Sequence, residues 1–356
     1  MKTYITSELE TLLEKLVNTH GGAGDEGTIR DLIIEEIMPF VDDLRIDQLG
    51  NLIAHKKALT KNPINLMVAA HMDEVALIVV DKDDNGFLEV RPAGGIDPSV
   101  LPAKPVVVGA NSIPGVFSAR TVHLTSASER NSIIEIKKLR VVVSKENLDK
   151  VNPGDYVYFD TQYQRLGHSI AAKALDDRVG CVNLIWLLKN MPAHIDLFGV
   201  FTVQEELGLR GAKVAAYQIQ PELAFAFDTT PAIEPPFWDD EEVNLQYNTK
   251  AGEGPAIYTV DRGQIHNRNI IKYIRKIAED HEIPYQLRQP GGGGTDSTAI
   301  HLTAEGILSQ SISVPVRYLH TPCGLMKKTD WEFTLALLDA IFQNLTPEIV
   351  KEFSQK

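Results

Sequence analysis

The stretch FGVFTVQEELGLRG, residues 198–211, decides the fold. It runs as an apolar strand to Gln204, sets Glu205 beside Glu206, and passes through Gly208 into a segment of helical character. A strand without polar alternation is buried on both faces, which marks a largely parallel sheet covered by helices. In open sheets of that kind, ligands bind outside the carboxyl ends of the strands. The glutamate pair therefore stands where a site would be built.

Outward from this stretch the chain alternates helix and strand. ALDDRVGCVNLIWLLKNM and GLRGAKVAAYQ read as helices, PELAFAFD and SQSISVPVR as strands, and DWEFTLALLDAIFQNL as a closing helix. Leu9, Leu12, Leu13, Leu16 and Val17, then Ile29, Leu32, Ile33 and Ile37, recur at helical spacing on either side of the glycine-rich HGGAGDEG. The strand INLMVAA leads into HMDEV. From Val75 to about Asp160 the pattern changes to short β-like runs broken by Gly and Pro, with no long helix. The fold class expected is α/β: a catalytic domain split between residues 1–73 and 164–356, its mostly parallel sheet flanked by helices. Residues 74–163 form an inserted, barrel-like all-β domain suited to substrate access or subunit contacts.

Composition narrows the function classes. The 356 residues are 44% hydrophobic and 23% charged, values of an ordinary globular chain able to bury a sizeable core. A formal charge of -13 without a clustered basic face argues against nucleic acid and anionic membranes as partners. No run approaches the roughly 18 apolar residues of a membrane span. The opening MKTYITSELETLLEKL has no apolar run of signal-peptide type. Cys181 and Cys323 read as free thiols of a reducing compartment. Cytoplasmic residence is the expectation.

Four polar groups end apolar strands or follow close behind them: His71, the Glu205–Glu206 pair, Asp228 and His320. Asp176 opens an apolar helix. Each has an ordinary explanation by itself. Asp before a helix commonly caps it, Asp before two threonines can form a turn, and a histidine or a glutamate pair at a strand end is usually solvated. Their conjunction at what can be one rim of one sheet points instead to zinc, cobalt or manganese held by nitrogen and oxygen. His71 and Asp73 are two apart, so on an extended chain they share a side and Asp73 can accept the proton of the second imidazole nitrogen. Two metals about 3.5–4 Å apart need a bridging carboxylate and a ligand on each side. Neighbours at a strand end point in different directions, so one glutamate can bind metal while the other serves as general base.

With those residues in place the chain resembles the glutamyl and deblocking aminopeptidase family of two-metal exopeptidases, whose members often form tetrahedral dodecamers. The resemblance rests on HMDEV, KALDDRVG, VQEELGLRGA, FAFDTT, GGGGTDS and RYLHT, in family order from residue 71 to 321. It implies that His71, Asp176 and Asp228 hold one ion and that Asp176, Glu206 and His320 hold the other. Two divalent ions per subunit, zinc first and cobalt or manganese next, would thus share Asp176, with Glu205 as base and Asp73 orienting His71. Peptide substrates and a homo-oligomer are implied with it. The family's Pro-Pro-His element is replaced by ARTVHLTSASER, which keeps His123 without the prolines.

GGGGTD lacks the Lys-Ser/Thr of a phosphate loop and reads as a wall of the substrate pocket, with Gly293 and Gly294 as lining candidates. A preference for acidic N-terminal residues would need a basic group there. Arg317 is the substrate-binding candidate; Arg210 and Lys173 also lie near the motifs. Cys323, three residues after His320, reads as a free thiol and not a ligand. The rival enzyme reading is glycoside hydrolysis by paired carboxylates, because some relatives of this family carry an endoglucanase label. It leaves the histidines unexplained, and aromatic residues are only 7% of the chain. The rival outside enzymes is a metal-stabilised scaffold without turnover.

Overall fold

Four parallel strands form the centre of the molecule. In the computed structural model, which describes residues 2–234, 248–289 and 291–354, they lie in the order Ile195–Thr202, Ile64–His71, Leu223–Pro231, Leu308–Arg317. Nearly every side chain on them is buried, as their unbroken apolar sequences require. Antiparallel strands extend the sheet on both sides. Leu52–Lys56 and Asp43–Ile46 continue it beyond Ile195–Thr202, and Gly324–Lys327, Ser169–Ala172 and Gln164–Leu166 continue it beyond Leu308–Arg317. The expected α/β sheet is present, parallel at its centre and antiparallel at both margins, where three of the pairs are joined by short turns.

Helices cover both faces unequally. Ser7–Asn18, Gly27–Ile37, Leu175–Asn190, Arg268–Asp280 and Lys328–Asn344 pack a large core that includes Leu16, Ile33, Leu184, Phe225, Trp331 and Phe342. On the other face Arg210–Ile219 lays Ala212, Ala215 and Ala216 against Met67, Ala69 and Val200. Alanine on that helix lets it approach closely. Thr6 caps the first helix by accepting the Leu9 amide.

A closed six-stranded antiparallel barrel is inserted after the second central strand. Its strands run from Ala76–Lys82 to Tyr156–Phe159 around Leu77, Val90, Val106, Phe117 and Val141. Closure removes free sheet edges. The barrel's only helical pieces are short turns such as Ala127–Arg130. The chain re-enters the main sheet at the hairpin Gln164–Leu166 and Ser169–Ala172.

Candidate metal centre

Register brings the strand ends level. Thr202 lies opposite His71 in one parallel pair, and Asp228 lies opposite Ser313 in another. Glu205 and Glu206 follow Thr202 by three and four residues, so the sheet delivers them, His71 and Asp228 to one rim.

At His71 the ring Nδ1 lies 3.0 Å from the backbone carbonyl of Asp73. That contact suits an Nδ1–H donor and leaves Nε2 with a free lone pair. Nε2 faces Asp176 Oδ1 at 3.3 Å and Asp228 Oδ1 at 3.8 Å. The Asp73 carboxylate, expected from the sequence to take the second imidazole proton, stands farther from that nitrogen than the carbonyl does. That carboxylate stands 3.7 Å from Nδ1 and accepts the amides of Glu205 at 3.0 Å and Glu206 at 3.1 Å. Asp73 thereby ties the glutamate pair to the strand end that carries His71.

The start of helix Leu175–Asn190 separates two neighbouring aspartates. Asp177 accepts the Gly180 amide at 2.9 Å, and a Cβ at Gly180 would lie 2.2 Å from its carboxylate, so the cap requires glycine there. Capping thus falls to Asp177. Asp176 has non-helical dihedrals (φ -83°, ψ 109°) and points a different oxygen at each histidine. Its Oδ2 lies 3.4 Å from His320 Nε2, which is also 3.4 Å from Glu206 Oε1.

Two groups result, an inner one of His71, Asp176 and Asp228 and an outer one of Asp176, Glu206 and His320. Two atoms each about 2.1 Å from a tetrahedral ion lie roughly 3.4 Å apart, and the observed separations fall near that value. Asp176 Oδ1 and Glu206 Oε1 are buried without a hydrogen-bond partner. Buried acceptors are normally paired, so a cation suits them. The donor set therefore fits divalent metal.

The charges agree. Burial pushes the Glu205 and Asp228 carboxyls well above their ordinary range, and each is surrounded by further carboxylates. Burial likewise raises Glu206 to about 7 and Asp296 to about 6. Burial opposes charge on the two histidines too, yet neighbouring carboxylates outweigh it: His71 rises well above its usual value, and His320 rises to about 9.

A cleft of about 270 Å³ opens on the inner group and Glu205, and Gly293 and Gly294 are among the residues that line it. Arg317 does not. Its Nε donates to Glu234 at 3.0 Å and its Nη2 joins the same carboxylate, which removes it from the cleft lining. Lys173 is buried on Glu74, and Arg210 reaches Gln204 at the surface. The basic residue in the cleft is Arg288, which the sequence reading missed. It lies over the Tyr258 ring at 4.5 Å and donates to Thr230 Oγ1 and the Gly292 carbonyl. Asp296, at the end of GGGGTD, accepts the Thr202 hydroxyl and keeps Oδ1 buried and unpartnered. Neither has a periodic signal. His123 lies in the turn Val122–Leu124 of the barrel, and both cysteines are free thiols, with Cys181 donating to the His71 carbonyl.

The model of the M42 glutamyl aminopeptidase family matches residues 50–337. A putative aminopeptidase of Acetivibrio thermocellus is 38% identical, over 92% of this chain and 96% of its own. Among solved structures, the aminopeptidase APDkam598 of the archaeon Desulfurococcus kamchatkensis superposes with a TM-score of 0.90 at 35% identity, covering 98% of each chain. The TET1 peptidase of Pyrococcus horikoshii, described as assembling into a tetrahedron or a large octahedral shell, gives 0.81 at 33% identity over 95% of this chain and 100% of its own.

Proposed function

This chain belongs to the M42 glutamyl aminopeptidase family and is an aminopeptidase, and from that premise we propose a two-metal enzyme that removes the first residue of unblocked peptides. The observation that carries the reading is Asp176, one oxygen turned to His71 and the other to His320. His71, Asp176 and Asp228 would hold one ion, and Asp176, Glu206 and His320 the other. Zinc suits these nitrogen and oxygen donors first, with cobalt or manganese next. Bound there, the ions supply Lewis acidity to the scissile carbonyl and make water a better nucleophile.

The chain's own groups do the rest. Glu205 belongs to neither ligand group, lines the cleft, and has a carboxyl whose proton affinity burial has raised. It takes the proton of the attacking water and hands it to the leaving amine. Asp73, holding the amides of Glu205 and Glu206, keeps base and ligand in register. Glu205→Gln is expected to lower kcat by about 10²–10⁴-fold while both ions stay bound. Unchanged turnover in that variant would remove Glu205 from the role.

The acidic preference rests on Arg288. It is buried in the cleft wall, and no ion pair to a carboxylate supports it among the described residues, so a glutamate or aspartate side chain of the substrate can supply the countercharge. Comparison of kcat/KM for peptides opening with Glu and with Lys tests this, and a lysine preference would overturn it. A homo-oligomer, with the dodecamer as one form, is proposed from the tetrahedron or octahedral shell described for the P. horikoshii relative and the dodecamer described for the neighbouring structure PhTET1-12s. Apolar Val122, Leu124 and Ile133 exposed on the barrel suit subunit contact. Light scattering decides the size. Two unpaired thiols suit the reducing cytoplasm.

A further inference from the structure

The two ligand groups differ in what holds them together. Asp176 follows strand Ser169–Ala172, which is hydrogen-bonded to Gly324–Lys327, the strand after His320. One ladder therefore positions Asp176 against His320. No such ladder joins Asp176 to His71, because three strands separate Ser169–Ala172 from Ile64–His71 in the sheet. Asp176 also lacks helical dihedrals, so the helix does not fix it either.

A buried ion cluster fills this gap. Lys173, three residues before Asp176, donates to both oxygens of Glu74 at 2.8 and 2.9 Å. Arg178, two residues after it, approaches the same carboxylate at 3.6 Å. Glu74 itself lies three residues beyond His71. All three are at most 2% exposed. The N-terminal loop closes around them: Arg178 donates to the carbonyls of Leu16, Thr19 and Gly21, and Lys173 to Thr19. Gly21 and Glu74 exchange hydrogen bonds, backbone amide to carbonyl and backbone amide to carboxylate. A Cβ at Gly21 would stand 2.8 Å from Ile29 Cγ2 and 3.1 Å from Arg178 Nη2, which accounts for glycine in that loop.

We propose that Glu74, Lys173 and Arg178 are positioning residues that set the spacing of His71 and Asp176, and with it the affinity of the inner group for its ion. The inference rests on the two-metal reading above. Partners behind ligand residues typically carry about 10–100-fold in metal affinity.

The test is calorimetric titration of zinc into chelator-stripped protein. Asp228→Asn and His320→Ala identify which binding step belongs to which group. In Lys173→Met the inner step is expected to weaken by about 10–100-fold while the outer step stays within a few-fold, and Lys173→Arg restores the inner step. Thermal melting of the stripped variants monitors folding, and Glu74→Gln, of the same size, serves should Lys173→Met not fold. Wild-type affinity at both steps, or equal weakening of both, overturns the proposal. A wild-type protein that takes up no divalent ion overturns the metal reading instead.

Discussion

The inner and outer ligand groups share Asp176 and differ in almost everything else. The inner His71 ends a central strand with 3% of its side chain exposed, whereas the outer His320 sits on a loop with left-handed backbone (φ 55°) and 42% exposed. Solvent reaches one and not the other. The barrel also approaches the outer group: a Cβ at Gly95 would lie 3.2 Å from His320 Nδ1, and one at Gly94 would lie 3.4 Å from Glu206 Cβ. A ligand held by packed core resists change, while a ligand held by loops answers to its neighbours. The proposed centre thus has a fixed half and an adjustable half.

The largest effect is expected where the halves meet. Asp176→Asn removes the shared charge, so both ions weaken and kcat/KM falls by roughly 10³-fold, the several kcal/mol that Lewis-acid stabilisation supplies. Retention of two ions would deny that Asp176 bridges them. Next, His71→Gly and His320→Gly separate the halves by rescue. Added imidazole should restore metal binding to the exposed His320 position and not to the buried His71 position; equal rescue would erase the distinction. Gly95→Val is milder, pressing on His320 alone, and should weaken the outer ion a few-fold with the inner ion unaffected, read by the same titration.

The smallest effect concerns the ladder behind the outer half. Glu10 resists ionisation by its burial, but hydrogen bonds from Arg165, Lys328 and Tyr163 outweigh this and lower its pKa to about 2. A depressed carboxyl stabilises the fold above its unfolded value of about 4.5 and loses that contribution as pH falls toward 2. The melting temperature should drop by a few degrees over that window, and Glu10→Gln should flatten the dependence. An unaltered slope would show that Glu10 does not anchor the hairpin.

What the sequence made legible follows the same division. His71, Asp228 and the Glu205–Glu206 pair each end or closely follow a continuous apolar run, a pattern that survives without knowledge of tertiary contacts. Asp176 and Asp177 were distinguishable only by resemblance, because capping and bridging both place Asp at a helix start; Gly180 supplies the physical difference. Period-two spacing shows that Asp73 shares a side with His71, and not that its carboxylate turns to two amides across the sheet. Arg317 and Arg288 are equally isolated in sequence. Which one faces the cleft depends on Glu234, 83 residues from Arg317, and no local pattern encodes that pairing.

The measurement that bears most directly on the two-metal aminopeptidase is release of amino acids from a mixed library of unblocked tripeptides. It is run with the protein stripped by chelator and then restored with zinc, cobalt or manganese, with a soluble glucan as control. The account predicts no release from stripped protein, release confined to the first residue on restoration with glutamate and aspartate favoured, and an intact glucan. Full release without metal, or none with any metal from folded protein, would contradict it.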